Sequence, residues 1–273
     1  MTTAAVLQMT SGIDPVENAS TIVAAIAQAK AGGAAMMFTP EMSGLLDRKR
    51  ARAAEHIVRE ADDRVLGAVR DAAARDGIWV ALGSLAVERE DGLWANRAYV
   101  IDGNGDIVAR YDKIHMFDVD LSTGESWRES NAYAAGEQVV TAETPLGRLG
   151  LSICYDIRFP ALFEQLGRAK CDVIAIPAAF TVPTGKAHWH VLQRARAIEA
   201  SAYVVAAAQV GDHADGRSTY GHSLVVDPWG DVLLDIGGEK AGLGFAEIDR
   251  GRIEEVRAQL PSLANRRVIP NLS

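Results

Sequence analysis

Short apolar runs rich in valine, isoleucine and alanine alternate along the chain with longer stretches whose apolar residues recur three and four positions apart. The first pattern predicts strands and the second predicts helices. Residues 4–8 read as a buried strand, and 16–31 as a helix with Ile22, Val23, Ile26 and Ala27 on its apolar face. A second strand at 34–38 closes on Thr39-Pro40, and a charged helix is predicted from about 50 to 74. Strands follow at 79–87, 97–101 and 107–111.

The second half repeats this order. A strand at 149–154 leads to a short helix at 161–169, then to a strand at 172–176 closed by Pro177. A helix at 188–201, a strand at 203–209 and a pair at 223–226 and 232–234 complete it. The residues also repeat: the ten from Tyr99 parallel the ten from Leu224, each a strand–turn–strand unit with Asp-x-x-Gly-Asp at its centre. Gly105 and Gly230 can take the positive φ such turns require. The chain thus reads as two β-α-β-α-β-β-β halves, each with helices enough for only one sheet face. Packing the two bare faces together predicts an α/β four-layer α-β-β-α sandwich with an internal two-fold pseudo-repeat. A single doubly wound sheet is the competing arrangement, and the duplicated hairpin favours the sandwich.

No linker or low-complexity segment divides the 273 residues, so a single domain over 1–273 is expected. The net charge of -8 lacks the basic face of a nucleic-acid binder, and Arg48-Lys49-Arg50 and Arg266-Arg267 read as solvated surface. Two cysteines, Cys154 and Cys171, are too few for a disulfide framework. No leader pattern and no apolar run of membrane-spanning length is visible, so a cytoplasmic protein with reduced thiols is expected.

Three polar residues fall just beyond predicted strand ends, where open α/β sheets collect ligand groups. Glu41 follows Thr39-Pro40, Lys113 follows the strand 107–111, and Cys154 stands at a strand-to-helix turn, where backbone N–H donors favour thiolate attack. Acyl transfer needs a nucleophile, a base to take and return its proton, and positive charge for the oxyanion. These three side chains can supply those parts. By spacing alone, an inert buried cysteine and surface charges explain the same residues.

The local segments add specificity. Thr39-Pro40-Glu41, Tyr111-Asp112-Lys113-Ile114-His115 and Ile153-Cys154-Tyr155-Asp156-Ile157-Arg158-Phe159-Pro160 resemble, in order, the three signature segments of the nitrilase superfamily of carbon–nitrogen hydrolases. The resemblance runs from the first strand to about Arg267. It implies that Glu41 is the general base, Lys113 stabilises the oxyanion and Cys154 carries the acyl group as a thioester. Glu129, in Trp127-Arg128-Glu129-Ser130, matches the family's second glutamate, and the N–H of Tyr155 would complete the oxyanion hole. The resemblance also implies an amide substrate, no cofactor, and a homodimer or higher homo-oligomer.

Rival chemistries fit less well. None of the six histidines stands in a protease signature, and His115 reads as packing or support beside Lys113. His188-x-His190 could bind zinc from a strand, but it opens a helical pattern and shows no third ligand, so no metal is expected. Gly103-Asn104-Gly105 lacks the following helix of a phosphate loop, and Cys171 reads as core. The segment 177–189, Tyr220-Gly221-His222-Ser223 and Asp227-Pro228-Trp229-Gly230 look most like the superfamily branch that hydrolyses deaminated glutathione. The ω-amidases acting on 2-oxoglutaramate share the first of these in outline. A catalytically silent scaffold is the non-enzyme alternative, and the intact Glu41, Lys113, Glu129 and Cys154 set counts against it. An anionic substrate needs a cation; Arg158 is the candidate, with an ion pair bracing the turn as its other explanation.

Overall fold

The computed structural model describes residues 1–120, 124 and 126–270. The first half contains β1 (Thr2–Gln8), α1 (Pro15–Ala31), β2 (Met36–Phe38), α2 (Arg50–Ala53), α3 (Arg64–Asp76), β3 (Trp79–Glu88), β4 (Trp94–Ile101) and β5 (Ile107–Asp112). A small ribbon of β6 (Asp118–Asp120) and β7 (Ser126–Arg128) leads on to β8 (Thr141–Thr144), β9 (Gly147–Leu151), α4 (Pro160–Arg168), β10 (Val173–Ala175) and α5 (Val182–Ala200). Then come β11 (Tyr203–Ala206), β12 (Val210–Asp212), β13 (Ser218–Tyr220), β14 (Leu224–Val226), β15 (Val232–Asp235), β16 (Gly242–Ile248) and α6 (Arg250–Gln259).

Two six-stranded sheets form, ordered β16-β1-β2-β3-β4-β5 and β15-β14-β11-β10-β9-β8. In each, three central parallel strands are flanked by antiparallel ones. Alternation along the strands explains the layering. Ala4, Val6, Met36 and Phe38 share one core with Leu149 and Leu151 of the second sheet. Their neighbours Ala5, Leu7 and Met37 pack instead with Ile22 and Ile26 of α1 and Val69 of α3. The fold is the expected α-β-β-α sandwich. The repeat extends to the hydrogen bonds of the two hairpins: the Asp102 N–H donates to Asp106 O (2.9 Å) and the Gly105 N–H to Asp102 O (3.0 Å), as Asp227 does to Asp231 O (2.9 Å) and Gly230 to Asp227 O (2.9 Å).

Several boundaries depart from the hydrophobic pattern. The helix expected over 50–74 is broken. α2 stops at Ala53, and residues 57–59 are drawn toward β3, where Val58 O accepts the Glu88 N–H at 2.9 Å. The helix restarts only where the Asp63 carboxylate caps the Leu66 N–H at 2.8 Å. α5 begins at Val182 rather than at 188, because Pro183 suits a first helical turn. β9 ends at Leu151 and β11 at Ala206, short of the expected 154 and 209. The edge strands β8 and β16 and helix α6 are additional elements. Polar β8 and glycine-bearing β16 carry weak strand signals.

Candidate active site

The strand ends carry the site because their turns pack closely. Gly83 in β3 lies where a Cβ would meet Thr39 O at 2.0 Å, Pro40 O at 2.4 Å and Pro177 Cβ at 2.6 Å. Only glycine lets the turns after β2 and β10 close against β3 there. The Thr39 hydroxyl accepts the Gly83 N–H at 2.9 Å, so Glu41 leaves a pinned corner.

Glu41, Lys113 and Glu129 meet in one buried cluster. Lys113 Nζ donates to Glu41 Oε1 at 2.9 Å and to Glu129 Oε2 at 2.8 Å. Asn96, which the sequence reading passed over, completes it. Its Nδ2 lies 2.9 Å from Glu41 Oε1 and 3.1 Å from Glu129 Oε1. Carboxylates only accept, so the amide nitrogen must face them. The Ala179 N–H holds Glu41 Oε2 at 3.0 Å, and the Phe117 N–H holds Glu129 Oε2 at 2.7 Å. Gln209 Nε2 reaches the main-chain O of Glu41 at 3.0 Å. Both carboxylates are therefore held in place.

Cys154 stands at φ 47°, a left-handed conformation that is strained for a residue with a Cβ. Its N–H donates to Pro177 O at 2.9 Å, and Tyr155 is the next residue of the turn that continues to Arg158. Fully buried Asp156 is the knot that maintains this turn. Its Oδ2 accepts the Ile153 N–H at 2.9 Å and the Tyr111 hydroxyl at 2.7 Å, while its Oδ1 accepts the His115 N–H at 3.0 Å. His115 Nδ1 also lies 2.7 Å from Oδ1, and its ring stacks on Phe159 at 3.6 Å. The Cys154 turn and the Lys113 loop are thereby tied to one carboxylate. His115 is a support, as its position suggested.

Glu41, Lys113 and Cys154 are 5%, 2% and 8% exposed, so their charges act with little solvent screening. Burial alone would push the Lys113 ammonium toward neutrality. The carboxylates of Glu129 and Glu41 outweigh it and hold the pKa well above the usual lysine range. Burial is also the largest influence on Cys154, and with the Glu41 carboxylate it raises the thiol well above its ordinary value, against the pull of Lys113. A set of this kind can move one proton from sulfur to a carboxylate as the sulfur attacks, with a permanent cation beside the developing negative charge.

Arg158 makes no ion pair among the described residues. Its Nη1 lies 3.2 Å from His188 Nδ1, and its guanidinium rests over Tyr155 and Phe180, 5.9 and 5.5 Å from the ring centres. Cys171 is fully buried, and burial drives its thiol up to about 12. It is core, as expected.

The profile of the carbon-nitrogen hydrolase family matches residues 3–258. The deaminated glutathione amidase of Yersinia enterocolitica is 39% identical over 271 residues, spanning 98% of this chain and 94% of that protein. The deaminated glutathione amidase of Synechocystis sp. strain PCC 6803 is 41% identical over 268 residues, spanning 96% and 97%. Among solved structures, the C. elegans NitFhit protein superposes with a TM-score of 0.90 at 36% identity, over 97% of this chain and 65% of that one. A glutamate-to-glutamine mutant of the amidase from Nesterenkonia sp. AN1, with acrylamide added to its active-site cysteine, has a TM-score of 0.80 at 25% identity, over 96% and 98%.

Proposed function

The chain belongs to the carbon–nitrogen hydrolase family, and from that premise we propose that it cleaves the linear amide of deaminated glutathione, releasing 2-oxoglutarate and Cys-Gly through a thioester on Cys154. The observation that carries the chemistry is the hydrogen-bonded Glu41–Lys113–Glu129 cluster beside a cysteine in a strained turn. In the first step the Cys154 sulfur attacks the amide carbonyl while Glu41 takes the thiol proton. Lys113 Nζ and the Tyr155 N–H receive the oxyanion. Glu41 then returns the proton to the departing amine, and the C–N bond breaks to leave the thioester. Water follows the same path: Glu41 removes its proton, the carbonyl re-forms, and the acid leaves as Cys154 regains its hydrogen. Glu129 and Asn96 reach no reacting atom in this scheme. They hold Lys113 and Glu41 in register.

The choice of substrate rests on the names of the relatives and on Arg158. This arginine is held against two aromatic faces and pairs with no carboxylate among the described residues, which suits it to a 2-oxo acid carboxylate. We assign the whole of 1–273 to one catalytic domain, acting in the cytoplasm as a homodimer or larger homo-oligomer. Side-by-side kcat/KM on one preparation tests the substrate. Deaminated glutathione should exceed 2-oxoglutaramate, and Arg158→Ala should depress both together. A tenfold preference for 2-oxoglutaramate, about 1.4 kcal/mol of differential transition-state binding, would replace this reading with an ω-amidase.

A further inference from the structure

Away from the catalytic cluster, three side chains distant in sequence converge at the surface where α5 meets the second sheet. His190 Nε2 lies 3.0 Å from Asp235 Oδ2, and His222 Nδ1 lies 3.0 Å from Asp235 Oδ1. One ligand atom from each of the three falls within 4.8 Å of the others. We propose that His190, His222 and Asp235 form a binding site for a divalent transition-metal ion of the zinc class, with solvent completing the coordination.

Two imidazoles and one carboxylate are a ligand set that zinc uses with an open position. Tetrahedral coordination with metal–ligand bonds of about 2.0–2.1 Å separates neighbouring ligand atoms by about 3.3 Å, so the two histidine–aspartate spacings of 3.0 Å need only small adjustment. The surroundings also hold the ligands in place. His222 is kept in a left-handed conformation, φ 55°, by its N–H donating to Gly237 O at 2.9 Å and its O accepting Trp189 Nε1 at 2.7 Å. A Cβ at Gly238 would stand 2.8 Å from His222 Nε2, so a glycine there makes room for the ring. Tyr220 stacks on that ring with centroids 4.4 Å apart, and the Gly237 N–H donates to Asp235 Oδ1 at 2.8 Å. Such supporting contacts around a ligand set favour binding. The sequence reading paired His190 with His188, whose Nδ1 lies 3.2 Å from Arg158 Nη1 instead, while Asp235 was out of view 45 residues beyond His190.

The site is independent of the catalytic reading, and its test needs no turnover. Zn2+ should be titrated into full-length Cys154→Ala protein against a chromogenic chelator near pH 7.5; removing the catalytic thiol eliminates one competing zinc ligand. One equivalent should bind per chain with micromolar or tighter affinity. His190→Ala and Asp235→Asn should each weaken it at least about tenfold. Co2+ should give a visible absorption band that both variants lose. His190 is partly exposed on α5, so its alanine variant keeps the fold, which circular dichroism checks. Unchanged zinc affinity in His190→Ala, or no stoichiometric binding at about 100 µM metal, overturns the proposal.

Discussion

The two halves of the molecule share one sheet plan and differ at the ends of its strands. Matched by strand register, Met36 corresponds to Val173, Ala4 to Leu149 and Arg110 to Asp235. Counting onward from these anchors, Glu41 falls opposite Ala178, Lys113 opposite Gly238 and Cys154 opposite Met9. Each half thus carries part of the polar set at positions where the other carries an apolar residue or a glycine. The first half supplies Glu41, Lys113 and Glu129; the second supplies Cys154 and the Ala179 N–H that holds the Glu41 carboxylate. A repeat can build a scaffold from two similar pieces, but a reaction centre needs unlike groups face to face. Here the unlike groups come from opposite halves of the pseudo-symmetry.

The matched pair Cys154 and Met9 gives the largest expected contrast. Cys154→Ala should lower kcat/KM by on the order of 10^5-fold, the loss typical of a removed nucleophile, with little change in melting temperature. Met9→Ala, at a site 2% exposed, should do the reverse: about 2–5 kcal/mol lost in urea unfolding, with kcat within about threefold. A Cys154→Ala enzyme with near-normal turnover would remove the covalent mechanism.

Within the first half, the comparison sharpens between a residue that receives charge and one that only positions. Lys113→Met should lose about 3 kcal/mol of transition-state stabilisation, about a hundredfold, mainly in kcat. Asn96→Ala should lose about tenfold, again in kcat, and Asn96→Asp should be worse because it adds a third carboxylate to the cluster. A Lys113→Met variant that altered KM alone would instead assign this lysine to ground-state binding.

The smallest effect is on stability at high pH. Cys154 and Lys113 both have folded pKa values raised above their ordinary values of 9.0 and 10.5, so the native state retains protons that the unfolded chain releases. Their contribution is complete below about pH 9 and is lost as pH rises through the folded values. Between pH 8 and 10 the melting temperature should therefore fall more for the wild type than for Cys154→Ala. Parallel curves for the two proteins would show that the thiol is not raised.

Much of this was legible in the sequence because the central strands are buried on both faces and read as apolar runs. The repeated hairpin was legible because its Asp and Gly positions are set by turn geometry. Glu41, Lys113 and Cys154 stood out as polar residues at the ends of such runs, and the segments around them strengthened the signal. Asn96 did not stand out. It lies inside β4, one residue before the stretch expected to be a strand, and its role depends on two carboxylates 55 residues before it and 33 after. Asp156 lay within a recognised segment, yet nothing local says that its partners include Tyr111 and His115. The break between α2 and α3 was hidden for a similar reason, since the pairing of Val58 with β3 is a tertiary contact that overrides helix propensity.

The carboxylate of Asp156 has a kinetic consequence. It ties a loop at residues 111–115 to a turn at 153–156, across the boundary between the two sheets. Neither sheet can hold the reactive geometry until the other has docked, and such long-range closure is slow relative to local helix and hairpin formation. During renaturation from denaturant, far-ultraviolet ellipticity should therefore recover ahead of enzymatic competence. The lag between the two signals would time the meeting of the halves, making the active site a built-in clock for the last stage of assembly.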